Sequence, residues 1–238
     1  MILEYLKWDS NFFGFKVGRI SSTTNDDYSY VLFSLLQQAK MENYHILYYF
    51  TCHHSEIDPT CLSRFNGKLV DKKIIFAGNC NYTSSSNLEA IMVYNLPYVT
   101  DELYNLAIRS GEYSRFRLDN NFEQGSFKVL YRLWIENSVK GVVADKVFVV
   151  RQENEVAGMA TVRIEENYGD VGLIAVGDKF QGMGLGKKLL EAVKLFLLDQ
   201  SVHQMQVATQ VANKQACQFY SRCGLSQKSI TDIYHFWL

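Results

Sequence analysis

Val176-Gly177-Asp178-Lys179-Phe180-Gln181-Gly182-Met183-Gly184-Leu185-Gly186-Lys187 is the stretch whose reading decides the fold. Leu173-Ile174-Ala175-Val176 runs into it with strand character, and Leu185, Leu189, Val193, Phe196 and Leu197 follow it at helical spacing. The pattern is strand, glycine-rich loop, helix, with the helix opening near Gly184. The first N–H groups of a helix have no partner within it, and the dipole adds positive potential, so such an end attracts anions. Gly182, Gly184 and Gly186 remove side chains that would hold a phosphate off the backbone, and Lys187 places a full charge beside it. The segment points to a phosphate-bearing ligand.

The spacing narrows the choice of ligand. A mononucleotide P-loop needs a glycine five residues before the Gly-Lys step and a hydroxyl after it; here Gln181 and Lys188 hold those places. A dinucleotide fingerprint belongs to an early strand–helix–strand unit, whereas these glycines follow three strands late in the chain. A plain glycine-rich turn without a ligand also fits the loop taken alone.

Downstream, Asn213 and Gly224 bracket a helix as N-cap and C-terminal glycine. Asn213 and Tyr220 are seven residues apart, close to two turns, so they share one edge. Capping explains the ends of that helix but does not call for a polar edge bearing a phenol.

Gln181-Gly182-Met183-Gly184-Leu185-Gly186 resembles the Q/R-x-x-G-x-G/A motif of GCN5-related N-acetyltransferases, and N-x-x-A-x-x-F-Y-x-x-x-G-L from Asn213 to Leu225 resembles the second acetyl-CoA motif of that family. The resemblance covers the chain from about residue 91 to its end. It implies a mixed α/β fold with a mixed central sheet and acetyl-CoA as cosubstrate, with no metal. It implies loop amides from Gln181, Gly182, Met183, Gly184, Leu185, Gly186 and Lys187 on the pyrophosphate, strand amides of Ala175 and Val176 on the pantetheine and acetyl groups, Asn213 near the pantetheine, and Tyr220 as catalytic proton donor to the leaving thiolate. Asp178 stands where the family often has proline.

Around these motifs the patterning predicts strands over residues 91–95, 146–152, 155–165, 170–177, 204–211 and 230–237, and helices over 100–110, 126–139 and 213–223. Glu153-Asn154 is a two-residue turn candidate without glycine. The polar run from Asn79 to Asn87 reads as a linker or long surface loop. Before it, strands over 16–20, 45–50 and 69–77 enclose a helix carrying Val31, Leu32, Leu35, Leu36 and Ala39, capped at Asn25-Asp26. The expected organisation is a smaller α/β lobe over 1–88 and an acetyltransferase domain over 89–238.

Trp8-Asp9-Ser10-Asn11-Phe12-Phe13-Gly14 resembles the opening of the dTDP-fucosamine acetyltransferases, which acetylate a 4-amino sugar on a nucleotide. That weaker resemblance implies a nucleotide-sugar acceptor, for which Arg115 and Arg117 are candidate diphosphate contacts. Other amines (peptide, polyamine, antibiotic) and a non-catalytic acyl-CoA-binding module stay open. No dedicated general base stands out; Glu136, Glu165 and Asp170 are candidates, and a water relay or direct attack by a neutral amine also serves.

The bulk properties fit this picture. In 238 residues, 47% are hydrophobic, which is ample for a core, and a net charge of -1 lacks the basic excess of a nucleic-acid binder. The start does not read as a signal peptide and apolar runs are short of a membrane span, so a cytoplasmic protein with no membrane partner is expected. Five scattered cysteines without a CxxC pair suggest reduced thiols, and Cys52-His53-His54 with Cys61 fits no common zinc spacing. A homodimer, with the last strand pairing across the subunit boundary, is expected by analogy alone.

Overall fold

The computed structural model describes residues 1–22, 29–81 and 88–238. The cap at Asn25-Asp26 and residues 82–87 of the polar run lie outside them. In chain order the elements are β1 (Leu3–Tyr5), α1 (Lys7–Phe13), β2 (Val17–Ser21), α2 (Ser29–Met41), β3 (Ile46–Cys52), α3 (Pro59–Arg64), β4 (Gly67–Asn79), β5 (Ile91–Val93), α4 (Asp101–Ser110), α5 (Arg115–Leu118) and α6 (Ser126–Val139). They continue with β6 (Lys146–Gln152), β7 (Glu155–Ile164), β8 (Gly169–Val176), a 3-10 turn (Asp178–Phe180), α7 (Leu185–Asp199), β9 (Gln204–Gln210), α8 (Lys214–Arg222) and β10 (Ser226–Trp237).

The chain forms two compact units: Met1–Ile74 with Gln210–Ala212 and Ser229–Leu238, and Ile75–Thr209 with Asn213–Lys228. The expected division at 88/89 follows chain order; packing does not. β10 returns to pair antiparallel with β3, from Thr231 opposite Cys52 to Trp237 opposite Ile46, so the last residues complete the first unit. The strand order there is β1-β2-β3-β10-β4, which makes β10 an interior strand. It is therefore not an open edge for pairing across a subunit boundary.

In the first unit, β2 and β3 run parallel and are joined through α2, as a parallel pair requires a crossover. Leu32, Leu36 and Ala39 of α2 are buried with Phe65, Tyr49 and Phe236, while Val31 faces solvent. The aromatic N-terminal segment forms α1, a helix not foreseen from its pattern, closed by Gly14 in the left-handed conformation (φ 75°). Trp8 is 52% exposed and stacks on Phe12 at 5.3 Å.

In the second unit the strand order is β4-β9-β8-β7-β6-β5. β6 to β8 form an antiparallel meander with β5 paired antiparallel on its edge, and the β6–β7 turn places Glu153 and Asn154 at positive φ (49° and 70°). That is the backbone a two-residue hairpin needs, and asparagine tolerates it. Thr100 caps α4, accepting from the Leu103 N–H, and Asp101 and Glu102 occupy its positive end. On α6, Phe127 and Leu130 are buried, but Trp134 is among the exposed large residues.

After β8 the chain crosses through α7 to reach β9 in parallel. Leu185, Leu189, Val193 and Leu197 are fully or nearly buried, so the expected stripe is the packed one, and Phe196 sits at its margin against Phe148. Gly169 lets α7 lie close, because a Cβ there would meet Leu197 Cδ1 at 2.3 Å. Gly169→Ala is expected to destabilise the fold by about 1–3 kcal/mol through overpacking, seen as a lower urea midpoint at unchanged slope.

Candidate active site

Two residues of β8 oppose one of β7. The register passes from Ala160 opposite Ile174 to Val162 opposite Val171, so Gly172 and Leu173 face Thr161 alone, which is a β-bulge. Thr161 is buried, and its Oγ1 accepts the Leu173 N–H at 2.9 Å, supplying the partner the ladder lacks. A bulge bends its strand and increases its twist. Pairing of β8 with β9 runs only over Gly169–Val171 against Met205–Val207, so its registered part ends where the bulge begins.

Beyond Val171 no registered pairing of β8 with β9 continues, and this gap is the opening; backbone alternation fixes which amides face it. The Leu173 N–H points toward β7, and so does that of Gly177, which donates to Ala157 O at 2.8 Å. Between them successive residues alternate, so the Ala175 amide also faces β7 while those of Ile174 and Val176 face the β9 side. Of the two strand amides singled out in the sequence, Val176 is directed into the opening and Ala175 into the sheet. Ile174, not singled out, joins Val176. Its signal, strand parity counted across a bulge, cannot be read without the register.

The loop continues from this strand. Gly177 to Gln181 forms the 3-10 turn, in which the Gln181 N–H donates to Asp178 O at 3.2 Å. Gln181 is thus engaged through its backbone, and its side-chain carbonyl accepts from Gln215 Nε2 of α8 at 3.3 Å. Gly182 (φ 77°) and Gly184 (φ 75°) both adopt the left-handed region, and a Cβ on either would meet nothing within 4 Å. Their lack of side chains therefore serves backbone conformation and open access rather than packing. Gly186 differs: a Cβ there would lie 3.1 Å from the Phe219 ring of α8. Met183 and Lys187 are exposed.

Gly184 is the N-cap of α7 and no side chain caps that end. The Lys188 N–H reaches Gly184 O, so the N–H groups of Leu185, Gly186 and Lys187 precede the helical ladder. An uncapped fifteen-residue helix beginning in an open glycine loop fits a diphosphate, with Lys187 alongside. Asp178 is 80% exposed on its side chain and accepts from the Arg109 guanidinium at 2.6 Å, tying the end of α4 to the loop.

Asn213 caps α8 through Oδ1, which accepts the Ala216 N–H at 3.1 Å and leaves its side-chain NH2 for a ligand. Tyr220 is 4% exposed and lies between Phe76 (5.6 Å) and Phe219 (5.3 Å). Burial, reinforced by Cys217 and Cys223, pushes its phenol well above the ordinary value of 10.0. Burial therefore keeps it in the neutral, protonated form. Burial also raises the Cys217 and Cys223 thiols. The Gln215 and Phe219 contacts join α8 to the loop, so Gln181, Gly186 and Tyr220 belong to one assembly.

The family description "Acetyltransferase (GNAT) family" matches residues 102–225, more than half of the chain. The chain belongs to the GNAT acetyltransferase family.

Solved structures resemble most of the chain at low identity. A functionally unknown conserved protein from Staphylococcus epidermidis shares 9% identity at TM-score 0.63, covering 98% of this chain and 90% of its own. A GCN5-related N-acetyltransferase from Sphaerobacter thermophilus shares 12% at TM-score 0.59, covering 98% and 75%. The glucosamine N-acetyltransferase region of a fungal multi-domain β-N-acetylglucosaminidase shares 15% at TM-score 0.55, covering 93% and 30%. No curated protein matches the chain. The structural likenesses show the GNAT fold.

The remaining candidates lie elsewhere. Arg115 and Arg117 sit on the single turn of α5; the Arg115 guanidinium lies 4.3 Å over the Phe116 ring, and Arg117 pairs with Glu112 at 3.8 Å. Glu136 accepts from Tyr104 Oη at 2.6 Å, Asp170 from Gln206 Nε2 at 3.1 Å, and Glu165 pairs with Arg163 at 3.5 Å. His53 Nδ1 lies 2.8 Å from Asp232 Oδ1, an imidazole–carboxylate pair within the first unit. Among the described residues no three acidic, His or Cys side chains gather as for a metal, and no helix is long and apolar enough to cross a membrane. All five cysteines are free.

The raised Tyr220 phenol gives a stability prediction. Its folded value lies above its unfolded one, so the folded state keeps the proton longer, and stability falls as pH rises from about 10 toward the folded value. Tyr220→Phe should flatten that decline, read from urea midpoints between about pH 9 and 11.

Proposed function

We propose that this protein transfers the acetyl group of acetyl-CoA to a primary amine, by direct attack within a ternary complex. The observation that carries this reading is the end of β8–β9 pairing at Val171/Val207, with the Ile174 and Val176 amides facing the opening and the bare tip of α7 next along the chain. In this reading the amides of Gly182 to Lys187 and the Lys187 ammonium bind the pyrophosphate, and Asn213 binds the pantetheine arm.

The neutral amine attacks the acetyl carbonyl carbon and a C–N bond forms. Charge collects on the carbonyl oxygen, where the Ile174 amide stabilises it, while the Val176 amide, two residues nearer the loop, holds the pantetheine arm. The C–S bond then breaks, and Tyr220 delivers its proton to sulfur and recovers one from solvent. The nitrogen loses its extra proton to water or a carboxylate. Cys217 and Cys223 take no part as acyl carriers, since burial keeps both thiols protonated.

The acceptor we propose is a nucleotide-linked 4-amino sugar, supported by the Trp8–Gly14 stretch. Arg115 and Arg117 are its proposed diphosphate contacts. A reducing, cytoplasmic setting suits five free cysteines.

Thiol release from acetyl-CoA across a panel of amines tests the reading. Transfer to amino sugars supports the proposed acceptor, transfer confined to peptides or polyamines replaces it, and acetyl-CoA binding without transfer to any amine contradicts catalysis. Tyr220→Phe should lower kcat by about 10²–10⁴-fold, the range for a lost general acid, while the Kd for acetyl-CoA stays within about threefold.

A further inference from the structure

The interior of the second unit holds a charged pair that packing alone does not explain. Glu191 and Lys194 of α7 are only 7% and 8% exposed, and Lys194 Nζ donates to Glu191 Oε1 at 2.9 Å. Burying two charges costs heavily, and apolar side chains of similar size often serve stability as well or better. The ammonium makes a second contact, donating to the Cys223 carbonyl at 3.3 Å. Cys223 is the C-cap of α8, three residues after Tyr220. The last carbonyls of a helix lack intrahelical donors and carry partial negative charge, so a cation there is a favourable cap.

The contact links two parts of the site through one rigid body. α7 begins at the bare tip assigned to the pyrophosphate and carries Lys194 ten residues from Gly184. α8 carries Tyr220. At its other end α8 meets the loop through Gln181–Gln215 and Gly186–Phe219. Those contacts fix the start and one face of α8, and the Lys194 contact fixes its end.

We propose that Lys194, held by Glu191, is a positioning residue that sets the reach of the Tyr220 hydroxyl by capping the C-terminus of α8. The inference rests on the reading of Tyr220 as proton donor. Glu191 holds the Lys194 side chain against the Cys223 carbonyl, so neither partner works without the other. An apolar pair of equal bulk would hold α7 against its neighbours but would leave the Cys223 carbonyl uncapped and the last turn of α8 free to shift.

The test is a double-mutant cycle on the full chain. Glu191→Leu with Lys194→Met removes both charges together and avoids an orphaned ion; Lys194→Arg keeps the charge. The apolar pair should fold, bind acetyl-CoA within about threefold of wild type and lose about tenfold or more in kcat, since small misplacements of catalytic groups cost that much. Lys194→Arg should recover most of that loss. In a Tyr220→Phe background the same apolar pair should change kcat by less than about twofold, because the group it positions is gone. Equal losses in both backgrounds, or no loss in either, would overturn the proposal.

A second readout does not depend on turnover. The 13C resonance of Tyr220 Cζ, assigned by its absence in Tyr220→Phe, should move in the apolar pair and return toward wild type in Lys194→Arg. An unmoved resonance overturns the positioning role even if the protein transfers no acetyl group. Absent transfer by wild type, with the resonance moving as stated, counts against the functional reading alone.

Discussion

One extra residue in β8 is the constraint on which the candidate site depends. Gly172 and Leu173 share a single partner, Thr161, and the Thr161 hydroxyl takes the Leu173 amide so that the sheet survives the irregularity. The bulge begins at the last registered pair of β8 with β9. A regular strand would continue that ladder and close its amides with β9 carbonyls. Here Ile174 and Val176 present their N–H groups to the opening instead, and the strand leads into a helix whose own first amides are bare. Donors that a fold normally hides are collected along one path.

Tyr220 is the proposed proton donor. Its burial raises the cost of ionising it, which keeps the phenol in its protonated form. The same burial requires that its position be set by packing. Phe76 and Phe219 flank the ring, Gln215 joins its helix to the loop, and the buried Lys194 ammonium holds the end of that helix. Rigid placement matters more than chemical activation in such a site, because a proton donor misplaced by an ångström loses most of its value.

Much of this was legible in the sequence, because the motif elements are local. The strand–loop–helix at residues 173–197 and the capped helix carrying Tyr220 follow from periodicity and cap residues within a few turns. What the sequence withheld is non-local. The bulge is a relation between Thr161 and Gly172-Leu173, so amide parity, and with it the exchange of Ala175 for Ile174, needs the register. The last strand joins the first unit through pairing with β3, which no linear division at the polar run anticipates. The short helices α1, α3 and α5 escaped because too few turns exist to show a period. Glu191 and Lys194 look in sequence like an ordinary solvated pair; only burial distinguishes them.

The central claim is that the amides freed by the bulge and by the bare tip of α7 grip one extended ligand. Amide hydrogen exchange with and without acetyl-CoA reads this residue by residue. The account predicts new protection at Ile174, Val176, Leu185, Gly186 and Lys187, with Ala175, already facing β7, changing least. Protection that leaves these amides untouched, or that falls on Ala175 in place of its neighbours, would contradict it.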